Sequence, residues 1–167
     1  MATYYRYKRP ITNTGAIHYT AKTVAQWQEE EDEAPFLAFQ DKSGDIHDYS
    51  EFISEISIVH NDVDGDDAGR SKTRGARMTR AYLGNKHTLN IKMVNRLPQN
   101  VARKIFALIR TDYDKPSFYA WYQSPCANEA HTSKEFYCST INYGAQRYDR
   151  KTGTTYFDGM NFNLIEM

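Results

Sequence analysis

The stretch HTLNIKMVNRLPQNVARKIFALIRT, residues 87–111, changes its apolar period halfway along, and that change decides the fold. Over 87–94, Leu89, Ile91 and Met93 alternate with polar partners, the period of two expected of a strand with one buried face. From 97 to 111 the apolar set becomes Val101, Ile105, Leu108 and Ile109, the i, i+4, i+7, i+8 pattern of a helix with one buried stripe. Pro98 suits the first turn of that helix, where a missing N–H leaves no bond unmade. Arg103, Lys104 and Arg110 fall on its open face and read as solubilising charge.

Outward from this pair, the strand pattern dominates. FYAWYQ (118–123) and EFYCSTINY (135–143) are rich in aromatic and β-favouring residues, and ISEISIVH (53–60) and PFLAFQ (35–40) read as further strands. GMNFNLIEM (159–167) sets Met160, Phe162 and Leu164 against Asn161 and Asn163, a half-buried strand. Two connections look long: 124–134, and 145–158, where Lys151-Thr152-Gly153 can turn a hairpin. In the first 34 residues, TYYRYKRP (3–10) reads as an edge strand or an arm and QWQEEEDE (26–33) as a helical turn or a solvated loop. The expectation is a mainly β domain with one helix packed across its sheet.

At 167 residues with no net charge, the chain is long enough for one domain with a sizeable core. Its two cysteines, Cys126 and Cys138, and the absence of an apolar signal or of a run near the ~18 residues of a membrane span, predict a soluble, reduced, intracellularly made protein with no membrane insertion. Balanced charge argues against a general polyanion binder, although it leaves room for a basic face.

The segment NDVDGDDAGRSKTRGARMTRAY, residues 61–82, divides its charge: Asp62, Asp64, Asp66 and Asp67, then Arg70, Lys72, Arg74, Arg77 and Arg80. Calcium is one reading, since Asp62, Asp64 and Asp66 are spaced as positions 1, 3 and 5 of an oxygen-rich loop. The remainder does not follow: Asp67 stands where the turn needs Gly, and Thr73 where a bidentate Glu is required. Nucleic acid is a second reading, through the basic residues of 70–80, but four carboxylates within about one Debye length, ~10 Å, repel the same backbone. A solvated loop with no partner is the plain alternative. A partner of the same kind explains both signs together, because an acidic and a basic limb can meet the opposite limbs of identical copies head to tail.

Catalytic constellations are thin. The five histidines, His18, His47, His60, His87 and His131, show no HExxH spacing, and no GxSxG, Walker or GxGxxG segment is present. Cys126, His131 and Cys138 lack a regularly spaced fourth ligand for zinc. No residue set takes a catalytic role, so no enzyme activity, metal or cofactor is expected.

The run from Asp62 through Gly65 to Arg70, followed by Gly75, Met78, Arg80 and Lys86, resembles the corresponding stretch of a group of small tail proteins from long-tailed bacteriophages and prophages. The ending Gly159, then Asn161-Phe162-Asn163-Leu164-Ile165-Glu166, is similar to that group's C-terminal strand, and the order of strand, helix, aromatic strand with Pro125, and Phe136-Tyr137 strand matches as well. The resemblance covers residues 45–167, which divides the chain into an N-terminal extension, 1–44, and a β domain, 45–167. This chain departs from the group's pattern by an extra residue in the Asp-rich turn, longer loops at 124–134 and 145–158, and the extension itself.

What the resemblance implies is a virion structural protein of the tail, with a tail-tube or distal-tail type of β-sandwich or barrel that assembles with itself as a hexameric ring beside other tail proteins. The tape-measure protein and genome DNA would be passengers in the lumen. Under that reading the charge-divided segment reaches a neighbouring subunit, and Tyr4, Tyr5, Tyr7, Trp121 and Tyr122, with Tyr143, Tyr148 and Tyr156, are candidates for an aromatic interface. The nucleic-acid module built on 70–80 is the alternative.

Overall fold

The computed structural model describes residues 2–8, 18–31, 34–64, 69–70, 78–79, 82–110, 114–125 and 133–167. At residues 18, 62–64, 69–70, 78–79 and 82–85 the description extends to the backbone alone. In chain order the elements are β1 (Thr3–Lys8), β2 (His18–Thr23), α1 (Val24–Glu30), β3 (Leu37–Gln40), β4 (Ile46–Asp48), a 3₁₀ turn (Ser50–Phe52) and β5 (Ile53–Asp64). Then follow β6 (Gly69–Arg70), β7 (Met78–Thr79), β8 (Tyr82–Met93), β9 (Leu97–Pro98) and α2 (Gln99–Ile109). The chain ends with β10 (Phe118–Tyr122), β11 (Lys134–Asn142), β12 (Ala145–Asp149), β13 (Thr154–Asp158) and β14 (Asn161–Glu166).

Nine strands form one curled sheet in the order β2-β1-β4-β3-β10-β11-β14-β8-β5, antiparallel except where β1 runs parallel to β4. The protein is mainly β with a flanking helix, as the alternating segments predict. Because side chains alternate across a strand, each face of the sheet can be read separately. One face carries Leu37, Phe39, Phe118, Phe136, Phe162, Leu89 and Ile91, and α2 covers it with Val101, Ala102, Ile105 and Ile109, all buried. Each of these side chains larger than alanine contributes about 1.5–3 kcal/mol on leaving water. Leu108, expected inside, is half-buried, and Ala102 takes a place on the inner stripe.

The opposite face is covered at its β1–β4–β3 end by α1. Trp27, fully buried, stacks on Tyr4 at 4.6 Å between centroids and meets Trp121 edge-on at 6.2 Å, with Ala38 and Ile46 beneath. Thr23 starts this helix through a capping box: its hydroxyl accepts from the Gln26 backbone N–H at 3.2 Å while Gln26 accepts from the Thr23 N–H at 3.2 Å. The QWQEEEDE segment is therefore helical from Gln26 to Glu30, and a single aromatic anchors it.

This packing alters the expected domain division. Residues 1–44 supply β1, β2 and β3 to the same nine-stranded sheet and α1 to its covering, and the position 44/45 falls inside the β3–β4 hairpin. β1 is interior to the sheet; β2 and β5 are its edges. An arm reading fails because both faces of β1 are used, Tyr4 against α1 and Tyr7 against Tyr49 at 4.5 Å on the other side.

The 145–158 connection is a hairpin, β12–β13, which joins β9 in a second, three-stranded sheet beside α2. Arg96, at φ 57° in the left-handed region, makes the turn into β9. Asp158 accepts its backbone N–H at 2.8 Å, and its guanidinium lies 4.6 Å from the Tyr156 ring centre. The C-terminal strand β14 is interior, between β11 and β8.

Candidate subunit-contact site

The charge-divided segment crowns a β-ribbon longer than the sheet needs. β5 and β8 pair antiparallel from Ile53↔Met93 to Asp64↔Tyr82, yet β14 covers β8 only from Thr88 to Lys92. Five registered pairs, His60↔His87, Asn61↔Lys86, Asp62↔Asn85, Val63↔Gly84 and Asp64↔Tyr82, therefore extend past β14. At ~3.4 Å per residue, that is roughly 17 Å of two-stranded ribbon. Further on, Gly69↔Thr79 and Arg70↔Met78 pair again as β6 and β7. Asp62 and Asp64 thus lie on the outgoing strand and Arg70 on β6, while Asp66, Asp67, Lys72, Arg74, Arg77 and Arg80 fall outside the described residues. Only Val63 in NDVD carries an apolar β-branched side chain, so the polar run reads as loop in sequence although it pairs as strand.

At the root of the ribbon, five strands meet in a polar network around the buried His87 and Tyr122. His87 is fully buried; its Nε2 lies 3.1 Å from His60 Nδ1, and its Nδ1 is hydrogen bonded to the Tyr122 hydroxyl. The His87 backbone N–H donates to Glu166 Oε2 at 2.7 Å, and Lys134 Nζ stands 3.9 Å from that carboxylate and 6.0 Å from the Tyr122 ring centre. A nitrogen-to-nitrogen bond needs one N–H between the two rings, so the pair has a defined tautomer that the Tyr122 bond helps to set. Buried polar groups satisfied in this way pin register, since a slip by one residue would leave His87 without these partners. Histidine spacing along the chain concealed the pair, because strand register alone unites positions 27 residues apart.

Near the other end of the sheet order, beyond the C-terminal end of α1, lies a cleft of about 700 Å³ lined by Arg6, Glu31, Pro35, Phe36, Asp48 and Glu51 among others. Arg6 Nη2 donates to Glu31 Oε1 at 2.5 Å, and its Nε stands 3.4 Å from Asp48 Oδ2. Burial works to raise the Glu31 carboxyl, but hydrogen bonds from Arg6 and Lys22 hold it below its ordinary value. Burial, then the charge of Asp48 which accepts its hydroxyl, push the Tyr4 phenol upward. Gln123 reaches the cleft wall and donates to the Ala34 carbonyl at 3.2 Å.

Four of the eight aromatics expected at an interface are core residues: Tyr4, Tyr7, Trp121 and Tyr122 are each no more than 7% exposed, and Tyr5 is half-buried. They are corrected to packing roles because both sheet faces are covered where they sit. Of the other candidates, Tyr148 (63% exposed) and Tyr143 lie on the surface and Tyr156 is half-buried under Arg96; Tyr19 and Tyr119 are further exposed aromatics.

One bond chain has the outline of a catalytic relay: Asp41 Oδ2 to His47 Nε2 at 2.8 Å, then His47 Nδ1 to the Tyr7 hydroxyl at 2.7 Å. Burial raises the Tyr7 phenol, and stacking on Tyr49 closes its ring face, so the chain positions Tyr7 instead of activating it. Of the zinc candidates, Cys126 and His131 lie outside the described residues, and burial pushes the Cys138 thiol up to about 11. Among the described residues no group of three or more His, Cys, Asp or Glu side chains converges on a metal position. No family model matches the chain, and no curated protein matches it.

Proposed function

We propose that this chain is a structural subunit of a bacteriophage tail, in the tail tube or the distal tail and baseplate region, that assembles with copies of itself as a ring and grips its neighbour with the β5–β8 ribbon. The observation that carries the reading is the excess length of that ribbon, five registered pairs past the last β14 contact. A two-stranded hairpin alone is marginally stable in water, so a ribbon that leaves its sheet gains most from a surface to lie on. Asp62 and Asp64 on the outgoing strand and the basic residues that follow them in sequence then supply complementary contacts to identical neighbours. Neighbouring tail proteins would stack on the ring, and its location would be the virion.

Sedimentation velocity on the full chain tests this reading. The wild type should run as a multi-subunit species, and the triple variant Arg70→Glu/Arg74→Glu/Arg77→Glu as a folded monomer. A wild type that stays monomeric at every concentration, alone and with its tail neighbours, would overturn the ring.

The ribbon also supports a second reading, because a two-stranded β-ribbon fits the DNA major groove and the segment that follows β5 in sequence carries Arg70, Lys72, Arg74, Arg77 and Arg80. DNA retention that falls steeply with salt, and loses that slope in the same triple variant, would favour it.

A further inference from the structure

We propose that the His60–His87 pair is an acid-operated catch at the root of the β5–β8 ribbon: it holds the root closed while one N–H bridges the two rings and releases it when both rings are charged. The catch needs no partner chain, so it stands or falls apart from the assembly reading. Where the ribbon is the contact arm, the catch ties that arm's presentation to pH.

Counting protons shows why. His87 Nε2 and His60 Nδ1 are 3.1 Å apart, and the Tyr122 hydroxyl meets His87 Nδ1. With both rings neutral, one N–H lies between them, and the Tyr122 hydroxyl, able to donate or accept, completes either tautomer. One added proton is accommodated, because a doubly protonated His87 still donates from Nε2 to His60 and from Nδ1 to the Tyr122 oxygen. A second is not. His60 Nδ1 then carries a hydrogen as well, and two N–H groups, each on a cation, face each other across the same 3.1 Å.

Among the described residues, each neighbouring strand contributes one group to this face. From β14 comes Glu166, whose Oε2 accepts the His87 backbone N–H at 2.7 Å, and from β11 Lys134, 3.9 Å from that oxygen. The Glu166 charge is thus partly offset before either ring is protonated. β10 brings Tyr122, and β3, paired with it, the apolar Leu37. On β5 the apolar Ile58 shares the face of His60, and Asp62 follows two positions along the chain; Lys86, next to His87, belongs to the other face of β8 by alternation. Position makes the pair a root: it is the first registered pair past Thr88, where β14 stops covering β8. His60 is exposed and His87 fully buried, so protons from water reach the outer ring directly. An opening that takes up one proton becomes about tenfold more favourable for each unit that pH falls through the titration of the pair.

Amide hydrogen exchange on the full chain tests the catch, because it reads local opening. Corrected for intrinsic rates, protection over residues 59–61 and 86–88 should fall about tenfold or more between about pH 7.5 and about pH 5, a range in which imidazoles titrate and ordinary carboxyls stay ionised. Amides of Cys138 and Leu164, inside the sheet, should keep theirs. His60→Gln retains a side-chain N–H to donate to His87 but takes up no proton, so its ribbon root should stay protected at the lower pH. Imidazole NMR of the wild type gives an independent reading: one N–H between the rings at the higher pH, and N–H on both facing nitrogens at the lower. Protection that does not change with pH, or that falls equally in His60→Gln, would overturn the catch. So would rings that still share one N–H at the lower pH.

Discussion

Single residues set the tolerances of this fold. Gly144 turns β11 into β12 at φ 70°, and a Cβ there would lie 2.1 Å from the Asp158 carbonyl oxygen, whereas Gly159, at φ 77°, has open space around it. Gly159→Ala should therefore lose only the ~1–2 kcal/mol of a left-handed non-glycine residue, and Gly144→Ala clearly more. Urea unfolding of the two variants decides this, and equal losses would show that the turn adapts. Tyr122→Phe removes one bond of the buried His87 and should lower stability by about 1–3 kcal/mol in the same assay. The pH dependence follows from shifted groups. Glu31 and Asp41 titrate below their ordinary values of 4.5 and 3.8, so the stability they confer is complete above those values and is lost as pH falls through their folded-state values. Tyr4 titrates above its ordinary 10.0, so its share is complete below pH 10 and is lost as pH rises further. Glu31→Gln should flatten the acid limb of a plot of urea midpoint against pH and leave the alkaline limb in place.

At the scale of elements, α2 and the β5–β8 ribbon should respond to mutation in opposite ways. Ile105 is fully buried under α2, so Ile105→Ala should lower stability by about 2–5 kcal/mol as a core truncation, whatever the molecule's role. Unchanged thermal stability would mean that the buried stripe is misassigned. The outer ribbon lies beyond β14, so replacing residues 62–85 by an Asn-Gly turn between Asn61 and Lys86 should leave the monomer's unfolding midpoint within a few degrees of the wild type. The same replacement should abolish self-association, as read by light scattering. A large loss of monomer stability would place the ribbon inside the fold instead of at a contact.

For the molecule as a whole, legibility follows how local each contact is. The strands around Leu89, Phe162 and Phe136 and the α2 stripe at Val101, Ile105 and Ile109 are visible in sequence because one buried face imposes a short period. β1 misleads for the converse reason: Tyr4 and Tyr7 are buried on different faces, so the run TYYRYK shows no alternation and reads as a contact surface. Its parallel pairing with β4 joins residues more than forty positions apart, a relation that no local pattern encodes. The cleft and the His60–His87 root are equally nonlocal, assembled by register and not by spacing. Charge separation over 62–80 was plain in the sequence, whereas the ribbon that presents it emerged from strand pairing. The decisive measurement is an electron cryomicroscopy reconstruction of the particle assembled from the full chain. Residues 62–80 of each copy should be seen lying against an adjacent copy; a closed particle in which they stand in solvent and touch no other chain would contradict the assembly role of the arm.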